Sequence, residues 1–233
     1  RMSIKKPAII ERYVKDSTQL NIKKISSNNH SDSLVVYFHA AVNRKNKSPP
    51  IYYYHKLPYD VISISDTNLE SNSELTAGWH SNGPDFKVND AINSYIEKMK
   101  PQYENIVCVG SSSGGFVALR TAIQNGVMAT AYNCQVNIKK YGERANIAWK
   151  RFAEHFNGAA LESLDELISN DTISEAATLQ PMLISQNKRD IHHYQQHFLP
   201  FKEKVNELKI KHIDFIEFDE DDTVPHKIRS KGN

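Results

Sequence analysis

Between residues 104 and 123 the chain reads ENIVCVGSSSGGFVALRTAI. A Val-rich apolar run enters a Gly/Ser cluster, and a helix-forming run leaves it at once. The segment therefore demands a strand, a sharp turn and a helix in immediate succession. A flexible Ser/Gly linker does not sit between a buried strand and a packed helix. A phosphate-binding loop needs more glycines or a Lys after the last one, and Phe116 and Val117 stand there instead. The spacing from Gly110 to Gly114 is G-x-S-x-G. In such a turn the strand and helix backbones approach too closely for side chains at the glycines, and the central residue is held up above the sheet. Ser112 is the expected nucleophile, flanked by Ser111 and Ser113.

The remainder of the chain supplies a sheet to carry this turn. Six short runs dense in Val and Ile are bounded by turn residues: SLVVYFH (33–39), YDVISIS (59–65), ENIVCVG (104–110), VMATAYNC (127–134), PMLISQ (181–186) and HIDFIEF (212–218). Nearly continuous apolar strands imply a sheet covered on both faces, hence parallel and α/β. Helical patterns separate them. VNDAINSYIEKMK (88–100) carries Ala91, Ile92, Tyr95, Ile96 and Met99 on one stripe, and Gly126 is placed to cap the helix after the turn. A helix over 191–209 is expected to kink or split at Pro200. AIIERYV and LNIKKIS, near the start, read as one or two antiparallel strands leading into the sheet. With 233 residues the chain is long enough for one sizeable core, so a single domain over 1–233 is expected.

A serine hydroxyl needs a base, and the base needs a carboxylate to fix its tautomer and orientation. The order expected after such a turn is Ser, acid, His. Ten histidines occur, so position decides. His226, in IEFDEDDTVPHK, follows the last strand and is the expected base. Asp190 follows PMLISQ and NKR and is the expected acid, while Asp219, Asp221 and Asp222 crowd the His226 loop and compete for that place. His192, His193 and His197 lack the intervening Glu of an H-E-x-x-H site and read as surface histidines, so no metal is expected. Two backbone N–H groups are needed for the developing oxyanion. Ser113 supplies one; Ala41, with Ala40 as its rival, supplies the other from the loop in YFHAAVNR.

Residues 137–180 break the strand–helix alternation with two or three helical patterns, and an insertion there is expected to form a helical lid. Within it residues 139–151 are basic, with Lys139, Lys140, Arg144, Lys150 and Arg151 against Glu143 alone, on a chain whose net charge is only +2. A basic cluster favours an anionic partner, and equally describes a solvated helix face. Trp79, in the Gly-flanked GWHSNG, is expected either as an exposed platform for a sugar ring or as core beneath a loop. RMSIKKPAII lacks the apolar stretch of a signal peptide, Arg1 reads as added ahead of Met2, and no apolar run approaches the ~18 residues of a membrane span. Cys108 and Cys134 lie in apolar runs and read as buried thiols of a reducing cytoplasm.

Ser112, Asp190 and His226 in that order, with GSSSG and FHAAV, resemble the α/β-hydrolase superfamily across most of the chain except the insertion. GSSSGGFVALRTA, GWHSNG and DDTVPH are similar to the capsule polymer O-acetyltransferases of serogroup A meningococci. That resemblance implies acetyl-CoA as co-substrate, with no tightly bound cofactor. It implies an anionic capsular polysaccharide of phosphodiester-linked N-acetylmannosamine as acceptor. It implies a cytoplasmic enzyme working beside other capsule-biosynthesis enzymes at the inner face of the membrane, without nucleic acid. The same triad also suits a carboxylesterase or thioesterase. A glycan-binding protein on an inactive hydrolase fold is the third reading.

Overall fold

The computed structural model describes residues 7–27, 31–53, 57–83, 85–140, 163–168 and 180–220. Eight strands form one sheet: β1 (Ile9–Lys15), β2 (Thr18–Ile25), β3 (Ser33–Phe38), β4 (Asp60–Ile64), β5 (Asn105–Ser112), β6 (Met128–Cys134), β7 (Met182–Asn187) and β8 (Ile213–Phe218), in the spatial order β1-β2-β4-β3-β5-β6-β7-β8. The six strands from β3 to β8 are mutually parallel, and the β1–β2 hairpin joins antiparallel through β2 and β4. Each of the six apolar runs is a strand, and the two N-terminal runs are the hairpin. The parallel strands place their C-terminal ends on one side, where loops carry function in such sheets.

Helices α1 (Asn68–Ser71) and α2 (Val88–Met99) lie between β4 and β5, and α3 (Ser113–Asn125) between β5 and β6. Helix α2 buries the anticipated stripe together with Val88 and packs against β1, β2 and α3. Helix α3 is buried on most of its circumference, because it lies against β3, β5, β6 and α2. It ends at Gly126 in the left-handed region (φ 60°), whose N–H bonds back to Ala122, as a glycine cap allows.

From the 137–180 insertion the described residues are few. They are a 3₁₀ turn (Ile138–Lys140), the short helix α4 (Asp165–Ile168) and an isolated bridge between Asn137 and Ser163. Ile138, Leu164 and Ile168 are buried, and Leu164 N–H bonds to Val136. Lys139 and Lys140 are exposed. Arg144, Lys150 and Arg151 lie outside the described residues.

After β7 come α5 (Ile191–His193), a π-helical turn (Tyr194–Phe198) and α6 (Leu199–Glu207), with Pro200 in the first turn of α6. The expected disruption at Pro200 takes the form of a widened turn ahead of it. Proline lacks the N–H of the helical ladder and its ring crowds the carbonyl four residues back, and a π turn relieves both. Cys108 and Cys134 are free, buried thiols; burial pushes Cys134 up to about 12. Among the described residues, no helix is long and apolar enough to cross a membrane.

Candidate active site

The site is built on the turn between β5 and α3. Ser112 ends the strand with φ 54° and ψ −124°, a conformation that side chains rarely adopt, and α3 begins at the next residue. Backbone of this kind costs about 1–3 kcal/mol and persists only where its surroundings over-determine it. Two glycines do so here. A Cβ on Gly110 would stand 2.1 Å from the Gly114 carbonyl oxygen. One on Gly114 would stand 2.3 Å from the Phe38 carbonyl oxygen at the end of β3. Strand, helix and post-β3 loop therefore touch backbone to backbone directly under Ser112.

The post-β3 loop is held by His39. Its Nδ1–H donates to the Ala40 carbonyl (2.8 Å) and its Nε2 accepts from Asp66 N–H (3.0 Å), which fixes a neutral tautomer and ties the end of β3 to the end of β4. Burial pushes the His39 pKa down. Ala41 follows in the same loop and is exposed. Ser113 is the first residue of α3, and first-turn N–H groups have no acceptor within the helix.

On the other side of Ser112 the β5–β6 register slips. Ser111 pairs with Tyr132 but Ser112 pairs with Cys134, leaving Asn133 as an extra residue with φ 41°. Bulges often sit beside functional sites, where they re-aim side chains. Here the bulge brings Gln135 onto the serine. Gln135 N–H bonds to the Ser112 carbonyl (3.1 Å), and Gln135 Nε2 donates to Ser112 Oγ (3.3 Å). Gln135 is fully buried, and Ser112 is 1% exposed rather than open above the sheet as expected, since this amide lies against it.

Trp79 is not an exposed platform. It is 2% exposed, and its indole Nε1–H donates to Gln135 Oε1 (2.8 Å). The alternative of a core residue under a loop describes it. The loop is strained, with left-handed φ at both Trp79 (48°) and His80 (47°). Asp66 anchors it: Oδ2 accepts Gly78 N–H (2.9 Å) and His80 N–H (3.0 Å), and Oδ1 accepts Asn68 N–H (3.1 Å). Arg120, from α3, donates to the His80 carbonyl and to Ser81 Oγ. Burial lowers His80 to about 4, against the pull of Asp66, and lowers Arg120 to about 10.

Asp190 follows β7, as expected, and caps α5. Its Oδ1 accepts His193 N–H (3.4 Å) and faces His193 Nδ1 (3.1 Å). His193 and His197 are buried, which corrects their reading as surface histidines. At a spacing of four they share the inward face of the helix, and His197 Nδ1 accepts Val136 N–H (3.3 Å). Burial, then the neighbouring His193 and His192, lower His197 to about 3. Asp219 is exposed and bonded to Arg189, whose guanidinium holds its carboxyl below the usual range. His226, Asp221 and Asp222 lie outside the described residues. Among the described residues, no group of three or more His, Cys, Asp or Glu is placed to hold a metal ion. Gln135 is the neighbour of Ser112 that sequence reasoning missed, since it falls in no recognisable motif, and His193, read as a surface residue, is the neighbour of Asp190.

No protein-family model and no curated protein matches the chain in sequence. Solved structures do match. Acylaminoacyl peptidase of Pyrococcus horikoshii superposes with a TM-score of 0.59 at 15% identity over 93% of this chain, which spans 37% of the peptidase. The capsule O-acetyltransferase of Neisseria meningitidis serogroup A gives 0.59 at 10% identity, over 91% of this chain and 87% of that one. A Staphylococcus aureus protein assigned as an esterase gives 0.55 at 15%, over 91% and 75%. Identities this low speak for the fold alone, and the fold they share with this chain is that of the α/β-hydrolases.

Proposed function

We propose that the protein is a serine-dependent acyltransferase that moves an acetyl group from acetyl-CoA to hydroxyls of an anionic capsular polysaccharide. The observation that carries the reading is Ser112, held in a strained backbone at the strand–helix turn by glycines that admit no side chain. In the first half-reaction Ser112 Oγ attacks the thioester carbonyl, its proton passes to His226, and CoA leaves as the thiol. The N–H groups of Ser113 and Ala41 receive the oxyanion, and Asp190 orients the base. In the second half, His226 takes the proton of a sugar hydroxyl, that oxygen attacks the acetyl-serine, and Ser112 is restored. Transfer rather than hydrolysis requires that the sugar outcompete water, which positioning and exclusion of solvent achieve.

Support for a carbohydrate acceptor comes from the likeness to a capsule O-acetyltransferase over most of both chains, and from exposed Lys139 and Lys140 at the start of the insertion. On this reading Arg144 extends the same basic surface, residues 137–180 form the lid, and the enzyme works in the cytoplasm beside the capsule polymerase. The likeness to a peptidase and an assigned esterase favours a hydrolase as the second reading. The deciding experiment incubates the protein with acetyl-CoA and N-acetylmannosamine-1-phosphate polymer, then weighs the polymer. Increments of one acetyl that vanish in Ser112→Ala support transfer. Free acetate with unmodified polymer supports the hydrolase, and the absence of both products overturns the reading.

A further inference from the structure

We propose that Gln135 is a positioning residue for the nucleophile: its side-chain amide, locked in one orientation by Trp79, fixes Ser112 Oγ and donates a hydrogen bond to it. This rests on the reading of Ser112 as the acyl-accepting serine.

The orientation of the amide follows from hydrogen-bond chemistry. The Trp79 indole N–H can only donate, so the Gln135 atom 2.8 Å from it must be the oxygen. The other end, facing Ser112 Oγ at 3.3 Å, must then be the NH₂ group. That group donates to Oγ, and Oγ keeps its own hydrogen for a different acceptor. The serine proton is thus turned away from Gln135, leaving it available to a base.

Four features bring the amide there and keep it there. The bulge at Asn133 shifts the register so that Gln135, rather than a regular strand residue, meets Ser112. A second bond, from Gln135 N–H to the Ser112 carbonyl at 3.1 Å, ties the backbones together. The bulge itself is pinned from the next strand, where Asn187 N–H donates to Asn133 Oδ1 (2.8 Å). Trp79 is held in its left-handed backbone by the Asp66 carboxylate on both sides of it, at Gly78 and His80. A buried glutamine used only to fill space would not need this setting, since an apolar residue fills the same volume without polar groups to satisfy.

The donated bond matters most when Oγ carries charge, which it does both during attack, as the base takes its proton (the step a fluorophosphonate reports), and again when acetyl-serine breaks down. As acetyl-serine breaks down, the acceptor oxygen bonds to the acyl carbon and the Oγ–C bond breaks. The electron pair stays on Oγ, and the acceptor's proton reaches it through the base. A donor aimed at Oγ stabilises that charge without reorganisation.

The test uses the full chain and a fluorophosphonate probe, with attachment to Ser112 confirmed by peptide mass. The maximal inactivation rate and the probe's half-saturation concentration are measured for wild type, Gln135→Met, Trp79→Phe and the double variant. Gln135→Met lowers the maximal rate about tenfold while the half-saturation concentration stays within about twofold, because one hydrogen bond to the reacting atom is lost. Trp79→Phe, which frees the amide to turn, gives a smaller loss of about threefold. The double variant matches Gln135→Met, since Trp79 acts only through the amide. Unchanged maximal rates in both single variants, a loss confined to half-saturation, or additive losses each overturn the proposal. Should Gln135→Met not fold, Trp79→Phe decides alone, because it leaves Gln135 in place. Wild type that is never labelled at Ser112 instead refutes the acyl-enzyme reading, a result separable from the others.

Discussion

Gly110→Ala tests whether close backbone packing is what forces Ser112 into its conformation. The added Cβ would lie 2.1 Å from the Gly114 carbonyl oxygen and 2.3 Å from its carbonyl carbon, where contacts below 3.0 Å essentially do not occur. Reaching 3.0 Å requires opening the gap by at least 0.9 Å (3.0 − 2.1). The opposing atoms are backbone at the start of a buried helix, so no side chain can swing aside. Overpacking of well-packed sites costs about 1–3 kcal/mol, and a backbone opponent puts this case near the top. The expected loss of about 3 kcal/mol lowers the melting temperature by roughly 6–12 °C in a chain of this size. Because Ser112 joins the two segments being pushed apart, it moves by a similar distance, and about 1 Å at a reacting centre is worth roughly a hundredfold in rate. The assay pairs thermal unfolding with fluorophosphonate labelling at a temperature where both proteins are folded. Gly126→Ala is the control: it also forces a side chain onto a left-handed residue, costs about 1 kcal/mol, and lies at the far end of α3. Gly110→Ala that melts within about 1 °C of wild type and labels at an unchanged rate would show that the turn does not depend on this contact.

Ser112→Gly and Ser112→Ala should both lose about 10³-fold or more of acyl transfer. Glycine should nevertheless be the more stable of the two by about 1 kcal/mol in urea unfolding, since only glycine relieves the positive φ. His80 is held neutral down to about pH 4 in the fold but titrates near 6.5 when unfolded, so the unfolded chain binds more protons between those values. Stability should therefore fall as pH drops from 6.5 to 4, by up to about 1.4 kcal/mol per pH unit for this group, and His80→Asn should flatten that slope in denaturant titrations. Lys139→Glu with Lys140→Glu should raise the KM for long polymer at low salt, lose the effect as ionic strength rises, and spare a small neutral acetyl ester. Equal losses on both substrates would mean a disturbed fold.

What was legible in the sequence was local. Each strand declared itself by a short Val- and Ile-rich run, α2 by its stripe, and the turn by five consecutive residues whose glycines the structure explains atom by atom. What was not legible lies between residues distant in the chain. The Trp79–Gln135 bond joins positions 56 apart and the Gln135–Ser112 bond positions 23 apart, and neither glutamine nor tryptophan announces such a partner. The bulge at Asn133 was invisible because YNC continues an ordinary strand pattern. The burial of His193 and His197 depended on how the chain rides over Pro200, and a widened turn shifts which face points inward. Trp79 shows the same limit: its Gly-flanked loop left an exposed platform and a core residue equally open, and the Asp66 carboxylate decides between them by folding that loop inward over the core.

The polar groups beneath the site are better understood as registering devices than as sources of stability. Asp66 and Arg120 are each about 1% exposed, and removing two charges from water costs several kcal/mol, which their mutual attraction repays only in part. An apolar pair would hold the loop to α3 as firmly. It would not hold it in one place. Arg120 donates in fixed directions to the His80 carbonyl and Ser81 Oγ, and Asp66 accepts from Gly78 and His80 on either side of Trp79. Together they set both the height and the rotation of the loop relative to the helix whose first turn carries Ser112. An indole N–H that must meet one amide oxygen at 2.8 Å tolerates little sliding of that loop. Directional bonds to backbone atoms supply this constraint, and methyl groups do not. The strain at Trp79, His80, Ser112 and Asn133 follows from the same requirement: the serine and three neighbours at positive φ are tolerated because each is hydrogen-bonded to another part of the site.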